Sequence, residues 1–367
     1  MIKTDIIDTD IIDTDIIIIG GGWYGLHIFK YLEENYSNFK KILLEKNSEI
    51  FEGSSNYNQN RLHLGYHYAR SHYTRELCKY GYDKFIKKYR EVVDFIDNNY
   101  YAISNDSIID YNTYLKIYSN DIKYDHTIVK NTFLKNIDNN IINTKEKIIN
   151  SEKTKKYFLK YINFDNIKLN YCVKNIVNID NKIIINNKIK CKLLINCTYN
   201  QLNLSNLLNI SNKEYIYELT ISLIYKKIGF TIFDSLTIMD GNFFSLFPRD
   251  ILKEKYTLTH VTFTPIIKSS NLQDILSYKI TDNEVNIIKN NMEKDVKKYY
   301  NEFKENFIYI DYFTSYKCKL KCNNDKRECN IENNNNNNII SVNCGKITGI
   351  FEFEDYVKDF LEKNNFN

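Results

Sequence analysis

A glycine-rich turn between a short apolar strand and a helix constrains the fold of this chain more than any other feature. Residues 15–20 read DIIIIG, a continuous β-branched run that ends in glycine, as is typical of a buried parallel strand. Gly20, Gly22 and Gly25 then form GxGxxG where helical spacing begins. This spacing permits a tight turn, the approach of a pyrophosphate to backbone N–H groups, and close packing of helix on strand. It predicts a βαβ unit that binds a dinucleotide.

The second strand of this unit is predicted at residues 40–47, KKILLEKN, with Glu45 at its polar end. An acid at this place accepts hydrogen bonds from the ribose hydroxyls in dinucleotide folds. Strand, glycines, helix, second strand and acid in register are far more specific than GxGxxG alone. NAD and FAD both use such a unit, so the pattern by itself leaves the choice between them open.

Composition narrows the class of protein. The 367 residues are 43% hydrophobic and fit one large or two interleaved domains. The 50 Lys and Arg residues are scattered among 46 Asp and Glu residues, which argues against a nucleic-acid partner. No stretch approaches the roughly 20 apolar residues of a membrane span. The eight Cys residues lack the spacing of a disulfide framework. We therefore expect a cytoplasmic protein with reduced thiols.

Periodicity predicts further elements along the chain. Helices are expected at 75–97, 151–162, 282–303 and 356–362. Residues 168–179 and 183–195 are expected to be strands of a meander, and residues 214–265 a half-exposed antiparallel sheet. Residues 337–345 are expected to form another buried strand that runs into glycine.

The segment GSSNYNQNRLHLGYHYARS at 53–71 resembles the flavin-facing segment of the D-amino-acid-oxidase-like (DAO) superfamily of FAD-dependent oxidoreductases. Members carry a small-residue turn after the second strand, then Ser or Asn residues, then a His followed two residues later by Gly. The matching positions are Gly53, Ser54, Ser55, Asn58, Gln59, Arg61, His63 and Gly65. The resemblance implies that FAD is the cofactor. Non-covalent binding is expected, because the clearest matching features are contacts, and covalent attachment through a His of this segment is the alternative.

Two weaker matches support this resemblance. Val173 corresponds to a strand position that lends backbone groups to adenine, and residues 196–198 resemble an Ala-Thr-Gly motif in which Tyr199 replaces the glycine. Residues 345–348 resemble the element that returns to the flavin. The cofactor-binding residues implied are Gly20, Gly22, Tyr24, Gly25, Glu45, Lys46, Ser54, Ser55, Asn60, Arg61, Leu62, Val173, Cys197, Thr198, Gly345, Lys346, Ile347 and Thr348.

The resemblance also implies the fold class. This is α/β, with a Rossmann-type, glutathione-reductase-like FAD-binding domain and an inserted, mainly antiparallel β substrate domain. The FAD-binding domain is expected to be discontinuous, at residues 1–98, 145–212 and 331–367. The substrate domain is expected at 99–144 and 213–330.

Histidines and arginines suggest where the chemistry takes place. A flavin site benefits from positive charge near its N1 and C2 carbonyl edge and from donors that fix a substrate. Alternation predicts Arg61, His63, Gly65 and His67 on one side of an extended segment. The catalytic candidates are His63, His67, Tyr256 and His260, and the substrate-binding candidates are Arg61, Tyr68, Arg70 and Arg249. Alternatively, His63 only anchors its loop.

No metal is expected. Cys318, Cys322 and Cys329 with Asp325 lack the spacing of a zinc knuckle.

The function predicted is an FAD-dependent oxidoreductase that oxidises a C–H bond next to an amine or hydroxyl of a small polar metabolite. The hydride is transferred to flavin, and the electron acceptor, oxygen or another, is left open. The alternatives are a non-oxidative flavin enzyme such as a nucleotide-sugar mutase, a catalytically degenerate FAD-binding protein, and an NAD-linked dehydrogenase.

Overall fold

The computed structural model of the protein describes residues 11–119, 124–180, 182–202, 204, 213–241, 243–321, 328–334, 336 and 338–364. The strands are β1 (Ile12–Asp13), β2 (Ile16–Ile19), β3 (Lys41–Leu44), β4 (Arg61–Leu62), β5 (Val93–Asp94), β6 (Asn99–Ile103), β7 (His126–Lys130), β8 (Asn140–Thr144), β9 (Lys147–Ile149), β10 (Ile167–Lys168), β11 (Ile176–Ile179), β12 (Lys182–Ile185), β13 (Ile189–Cys191), β14 (Leu193–Asn196), β15 (Tyr215–Lys227), β16 (Ser235–Met239), β17 (Phe244–Asp250), β18 (Lys255–His260), β19 (Pro265–Ser269), β20 (Phe307–Leu320), β21 (Asn330–Asn333) and β22 (Ile339–Asn343). The helices are α1 (Trp23–Asn35), α2 (His72–Tyr89), α3 (Tyr111–Ser119), α4 (Ser151–Tyr161), α5 (Leu272–Ser277), α6 (Asp282–Tyr299), α7 (Phe303–Asn306) and α8 (Ile350–Lys363). Short 3-10 turns lie at Arg90–Val92, Phe164–Asn166 and Ile347–Gly349.

A six-stranded sheet in the order β10-β3-β2-β14-β22-β21 contains the predicted βαβ unit. Its strands are parallel except for β21, which pairs antiparallel with β22. All four isoleucines of β2 are buried, because both faces of the sheet are covered. Ile16 and Ile18 pack with α1 and α8, whereas Ile17 and Ile19 pack toward β12 and β13. The predicted strand, helix and second strand are confirmed.

The meander differs from its prediction. β11, β12 and β13 form an antiparallel sheet with β1, but residues 169–175 are not in a strand. The predicted strand over 168–179 is therefore wrong in its middle, and Val173 lies in this irregular segment. Asn186 and Asn187 have φ values of 49° and 58°, so they form the left-handed turn between β12 and β13.

A nine-stranded sheet follows the order β19-β15-β18-β17-β16-β6-β8-β7, with β20 also paired to β15. It is antiparallel except where β16 runs parallel to β6. The prediction of a half-exposed sheet is wrong for β16 to β18, because α6 covers one face and Arg61 lies against the buried Thr237 and Ser245 of the other. There Leu236, Leu246 and Leu258 pack with Met292 and Val296. The opposite face of β16 and β17 carries hydroxyl groups.

The predicted helices exist with shifted ends. α2 begins at His72 because the Ser71 hydroxyl caps it, and it ends at Tyr89 because β5 pairs with β9 from Val93 onward. α6 ends at Tyr299, and α8 begins at Ile350 rather than at 356. Among the helices of the described residues, none is long and apolar enough to cross a bilayer.

Candidate active site

The turn after β2 is shaped by glycines that cannot be replaced without steric conflict. Gly20 has a φ of 109°, and a Cβ there would lie 2.7 Å from the carbonyl oxygen of Cys197. A Cβ on Gly25 would lie 1.9 Å from the carbonyl oxygen of Gly20. Gly22 precedes the first residue of α1, and its Cβ would lie 2.6 Å from Ser55 Oγ. The backbone can therefore be approached closely at the start of α1.

The helix end at this turn has polar partners, and Glu45 is the acidic residue among them. The first turn of α1 contains no acidic residue. The Trp23 N–H donates to Ser55 Oγ at 3.0 Å, and the Gly21 N–H donates to Glu45 Oε2 at 2.5 Å. Glu45 Oε1 also accepts from the Asn47 N–H, while Lys46 donates to Gln201. The positive end of the helix dipole remains available to an anion.

The segment after β14 faces this turn. The Thr198 hydroxyl donates to Asn196 Oδ1 at 2.8 Å, which fixes the start of the segment. Tyr199 has a φ of 56°, the left-handed conformation that glycine adopts most easily. Tyr199, which replaces the glycine of the motif, therefore keeps a backbone conformation typical of glycine. A Cβ on Gly345 would lie 3.1 Å from the Tyr199 hydroxyl, so the two segments are adjacent.

The segment that follows β4 is not extended as predicted. Only Arg61 and Leu62 pair as a strand, with β9, and Gly65 then has a φ of 120°. The Tyr68 N–H donates to the Gly65 carbonyl, which closes a turn. The prediction that side chains alternate between two sides of an extended segment is therefore wrong beyond Leu62. The turn nevertheless returns His67 to His63, whose ring centroid lies 5.0 Å from that of His67.

A completely buried carboxylate, Glu146, lies at the centre of this cluster. Its Oε1 accepts from the backbone N–H groups of Leu64 at 2.7 Å and Gly65 at 3.2 Å. Its Oε2 accepts from the Tyr101 hydroxyl at 2.5 Å and from Arg61 Nη1 at 3.3 Å. Burial alone would raise the pKa of Glu146, but the neighbouring His63 and Arg61 outweigh it and hold that pKa below its usual range. Glu146 is therefore ionised.

Arg61 connects this carboxylate to the nine-stranded sheet. Its Nη1 donates to the Tyr101 hydroxyl at 2.6 Å, and its Nη2 donates to Thr237 and Ser245, each at 2.9 Å. The guanidinium carbon lies 3.9 Å from the ring centroid of Phe247. The predicted substrate-binding arginine is thus held by protein groups on several sides.

The two histidines of the cluster are neutral. Burial, and then the positive charge of Lys346, lower the pKa of His63 to about 4. Burial, and then the charge of Arg61, hold the pKa of His67 well below its usual range. His67 Nδ1 lies 2.7 Å from the Tyr101 hydroxyl, and His63 Nδ1 lies 3.7 Å from Glu146 Oε1.

Lys346 links the glycine turn to the cluster. Its backbone carbonyl accepts from the Tyr24 hydroxyl at 2.6 Å, and its ammonium lies 4.0 Å from the ring centroid of Tyr68. Burial lowers the pKa of Lys346 to about 7. Within the described residues no carboxylate forms an ion pair with this ammonium. The following Ile347–Gly349 turn packs on α2, where a Cβ on Gly81 would lie 2.4 Å from the Thr348 carbonyl oxygen.

The other predicted cofactor residues lie around these groups. The Ser54 hydroxyl donates to the Tyr316 carbonyl, and Asn60, with a φ of 56°, donates to the Ser151 hydroxyl. Leu62 is fully buried, and Val173 packs against the meander without being part of a strand.

The remaining predicted substrate and catalytic residues have other partners. Arg249 donates to the backbone carbonyls of Asn56 and Asn58, and Arg70 pairs with Asp240 at 2.7 Å. Tyr256 is buried edge-on against Phe307. His260 accepts from the Thr262 N–H through Nδ1, and its Nε2 lies 3.2 Å from Asp295 on α6. No contact described for Tyr256 or His260 joins them to the Glu146 cluster.

Glu146 and Tyr101 were missed in the sequence. Both lie between residues 98 and 150, where no helix or strand was predicted, and no local spacing relates them to His67. His63, His67 and Glu146 have potential metal-binding atoms within 4.8 Å of one another. We assign no metal there, because both Glu146 oxygens already accept hydrogen bonds and the Arg61 cation lies beside them. Cys322 and Asp325 lie outside the described residues.

Comparisons with known proteins agree with this geometry. The FAD-dependent monooxygenase FPY4 of Fusarium mangiferae is 28% identical over 352 residues, which cover 94% of this chain and 90% of that protein. No protein-family model matches the chain. Glycine oxidase from Geobacillus kaustophilus has a TM-score of 0.71 at 9% identity, covering 96% of this chain and 95% of that one. The FAD-bound L-alpha-glycerophosphate oxidase from Mycoplasma pneumoniae has a TM-score of 0.71 at 15% identity, covering 95% of both chains.

The chain is thus similar along most of its length to an FAD-dependent monooxygenase, and it has the fold of glycine oxidase and of an FAD-bound glycerophosphate oxidase. The fold is mixed α/β, and FAD is the cofactor named for the first protein and bound in the last. The structure fits this cofactor at two places. The glycine turn leaves room for a pyrophosphate at the positive end of α1. The buried Lys346 ammonium lacks an anionic partner among the described residues, as expected where a cofactor supplies the negative charge.

Replacing Gly22 with Val tests the pyrophosphate site. The side chain would meet Ser55 Oγ and fill the approach to α1. Overpacking of this kind costs about 1–3 kcal/mol, so we expect FAD affinity to fall roughly 5- to 150-fold in a titration of the apoprotein. Gly229→Val is the matched control, because its Cβ meets Asn306 instead. Equal FAD affinity in Gly22→Val and wild type would contradict the assignment.

Replacing Lys346 with Met tests the buried ammonium. Its folded-state pKa of about 7 lies below the ordinary 10.5, so the unfolded chain binds more protons between these values. Wild-type apoprotein should therefore gain stability as pH rises from 7 toward 10, by no more than about 5 kcal/mol. We expect the free energy of unfolding, measured with urea at pH 7 and pH 9.5, to increase less with pH in Lys346→Met than in wild type. Lys294→Met, at an exposed position, is the control. If stability increases with pH as much in Lys346→Met as in wild type, the Lys346 ammonium is not buried without an anionic partner.

Proposed function

We propose that this enzyme oxidises a C–H bond next to an amine or hydroxyl of a small polar metabolite, with hydride transfer to FAD. The observation that carries the proposal is the pairing of a buried Lys346 ammonium with two neutral histidines around an ionised Glu146. A cation favours the reduced, anionic flavin, and a neutral imidazole can accept the proton that an amine or alcohol must lose.

The glycine turn, the segment from Ser54 to Leu62 and the loop from Gly345 to Thr348 are proposed to hold the cofactor. When bound, FAD supplies the two-electron acceptor for the hydride. Lys346 is proposed to lie by the pyrimidine edge of the ring, and Tyr24 orients the Lys346 loop through its hydrogen bond. The electron acceptor that reoxidises the cofactor, oxygen or another compound, is not part of this proposal.

The arrangement of arginines bears on the substrate. Arg61, Arg70 and Arg249 were predicted to bind a carboxylate, but each is already bonded to protein groups. We infer that the substrate is recognised at its amine or hydroxyl rather than through a carboxylate held by these side chains. This inference favours amines and alcohols over amino acids and 2-hydroxy acids.

We also propose how the chain divides into two domains. The six-stranded sheet with the meander on one face corresponds to a Rossmann-type, glutathione-reductase-like FAD-binding domain built from residues 1–98, 145–212 and 331–367. The nine-stranded sheet corresponds to the substrate domain at 99–144 and 213–330. Strand pairing supports this division, since β6 pairs with β16 and is followed by β8 and β7 in the nine-stranded sheet rather than in the six-stranded one.

A second candidate function is monooxygenation. The relative that aligns along most of the chain is described as an FAD-dependent monooxygenase. Such chemistry requires reduction of the flavin by an external donor such as NADPH and incorporation of an oxygen atom into the substrate.

Anaerobic mixing of the holoenzyme with candidate substrates distinguishes the two functions. We expect loss of the oxidised-flavin absorbance with members of an amine and alcohol panel in the absence of any nicotinamide. Amino acids and 2-hydroxy acids form the comparison panel. Bleaching by NADPH alone would favour monooxygenation, and bleaching by none of these compounds would contradict the proposed oxidation.

A further inference from the structure

The Tyr101 hydroxyl has three polar neighbours and only one proton. Arg61 Nη1 lies at 2.6 Å, Glu146 Oε2 at 2.5 Å and His67 Nδ1 at 2.7 Å from its oxygen. A phenol can donate one hydrogen bond and accept two. The protonation of His67 can therefore be deduced by counting protons.

The first two neighbours fix the direction of the phenolic proton. Arg61 is always a donor, so Tyr101 accepts from it. Glu146 is ionised and can only accept, and two oxygens 2.5 Å apart need a proton between them. The Tyr101 proton is therefore donated to Glu146. Burial raises the pKa of Tyr101 well above its usual range, so the phenol keeps this proton.

The third neighbour must then donate. With its proton used, Tyr101 offers His67 only a lone pair, so Nδ1 of His67 carries the hydrogen. A neutral imidazole has one hydrogen, which leaves a lone pair on Nε2. Among the contacts of the described residues, none donates a hydrogen bond to His67 Nε2.

We propose that Glu146 and Tyr101 are positioning residues that hold His67 as the Nδ1–H tautomer, so that Nε2 is the base that accepts the proton of the substrate amine or hydroxyl. The tautomer stands on hydrogen-bond geometry, whereas the role of Nε2 as a base rests on the proposed function. In the reaction the substrate N–H or O–H bond breaks and its proton moves to Nε2. The C–H bond breaks with its electron pair going to the oxidised cofactor, and the substrate becomes an imine or a carbonyl compound.

His63 and His260 lack this arrangement. His63 Nδ1 lies 3.7 Å from Glu146 Oε1, which is longer than a hydrogen bond. His260 is held in the opposite tautomer, because its Nδ1 accepts from the Thr262 N–H and its Nε2 faces Asp295. His260 is therefore an internal reference in the same protein.

Substitution of Glu146 by Gln should reverse the tautomer. The backbone N–H groups of Leu64 and Gly65 would hold the new amide oxygen in the place of Oε1, so the amide nitrogen would face Tyr101. Tyr101 would then accept from this nitrogen and from Arg61, and its proton would turn to His67 Nδ1. The hydrogen of His67 would move to Nε2, and the base would be lost.

The tautomer is read by two-dimensional proton–nitrogen NMR of apoprotein labelled with nitrogen-15 histidine, with the His67 signals assigned from His67→Gln. We expect Nδ1–H for His67 in wild type, Nε2–H in Glu146→Gln, and Nε2–H for His260 in both. Tyr101→Phe removes the acceptor without changing the carboxylate, so the Nδ1–H preference should be lost. Tyr66→Phe is the control, because its hydroxyl contacts His126 rather than His67.

An Nε2–H tautomer of His67 in wild type would overturn the proposal, and so would an unchanged tautomer in both Glu146→Gln and Tyr101→Phe. If Glu146→Gln does not fold, Tyr101→Phe alone decides. In the holoenzyme, Glu146→Gln should slow flavin reduction by an active substrate about 100- to 10,000-fold, the usual contribution of a general base. The NMR result needs neither flavin nor substrate, so it is distinguishable from failure of the proposed function.

Discussion

The burial of the Glu146 carboxylate is the constraint on which the rest of the site depends. An ionised carboxylate without solvent costs several kcal/mol unless charges and hydrogen bonds compensate it. Here the compensation comes from the backbone of the turn at Gly65, from Tyr101 on β6 and from Arg61 on β4. Because Arg61 also bonds to β16 and β17, one buried charge ties the three-stranded sheet of β4, β9 and β5 to the nine-stranded sheet.

The same charge explains why the histidines stay neutral in a cluster that also holds Arg61 and Lys346. Arg61 beside the carboxylate and the charge of Lys346 near His63 leave no gain from a further positive charge, and burial penalises it. The cluster therefore has a cationic side at Lys346 and a basic, uncharged side at His67. These are the two properties that the proposed oxidation of an amine or alcohol would use.

The βαβ unit could be predicted from sequence because its signals are local. The isoleucines of β2, the glycines that follow and the position of Glu45 each have a short-range cause. The Glu146 cluster could not be predicted in this way, because Tyr101 and Glu146 approach His67 only through pairing of distant strands. The prediction of an extended segment with alternating side chains failed at Gly65 for a related reason. The turn there is stabilised by contacts with Glu146 and the tyrosines of α3.

Asparagine occupies several positions with positive φ, where glycine is common. The chain has 11 Gly residues. Among the described residues, ten non-glycine positions have positive φ, and seven of them are Asn or Asp. These side chains tolerate the left-handed region better than others do. Tyr199 is an exception in which a glycine-like backbone conformation is kept by a large residue, and sequence alone could not show that the conformation persists.

We propose that the flavin ring lies against the cluster formed by Lys346, His63 and His67. The electron density of the FAD ring in crystals of the holoenzyme tests this placement. We expect the pyrimidine edge of the ring within hydrogen-bonding distance of Lys346 Nζ, with His67 Nε2 facing the bound substrate. A ring located away from both Lys346 and His67 would contradict it.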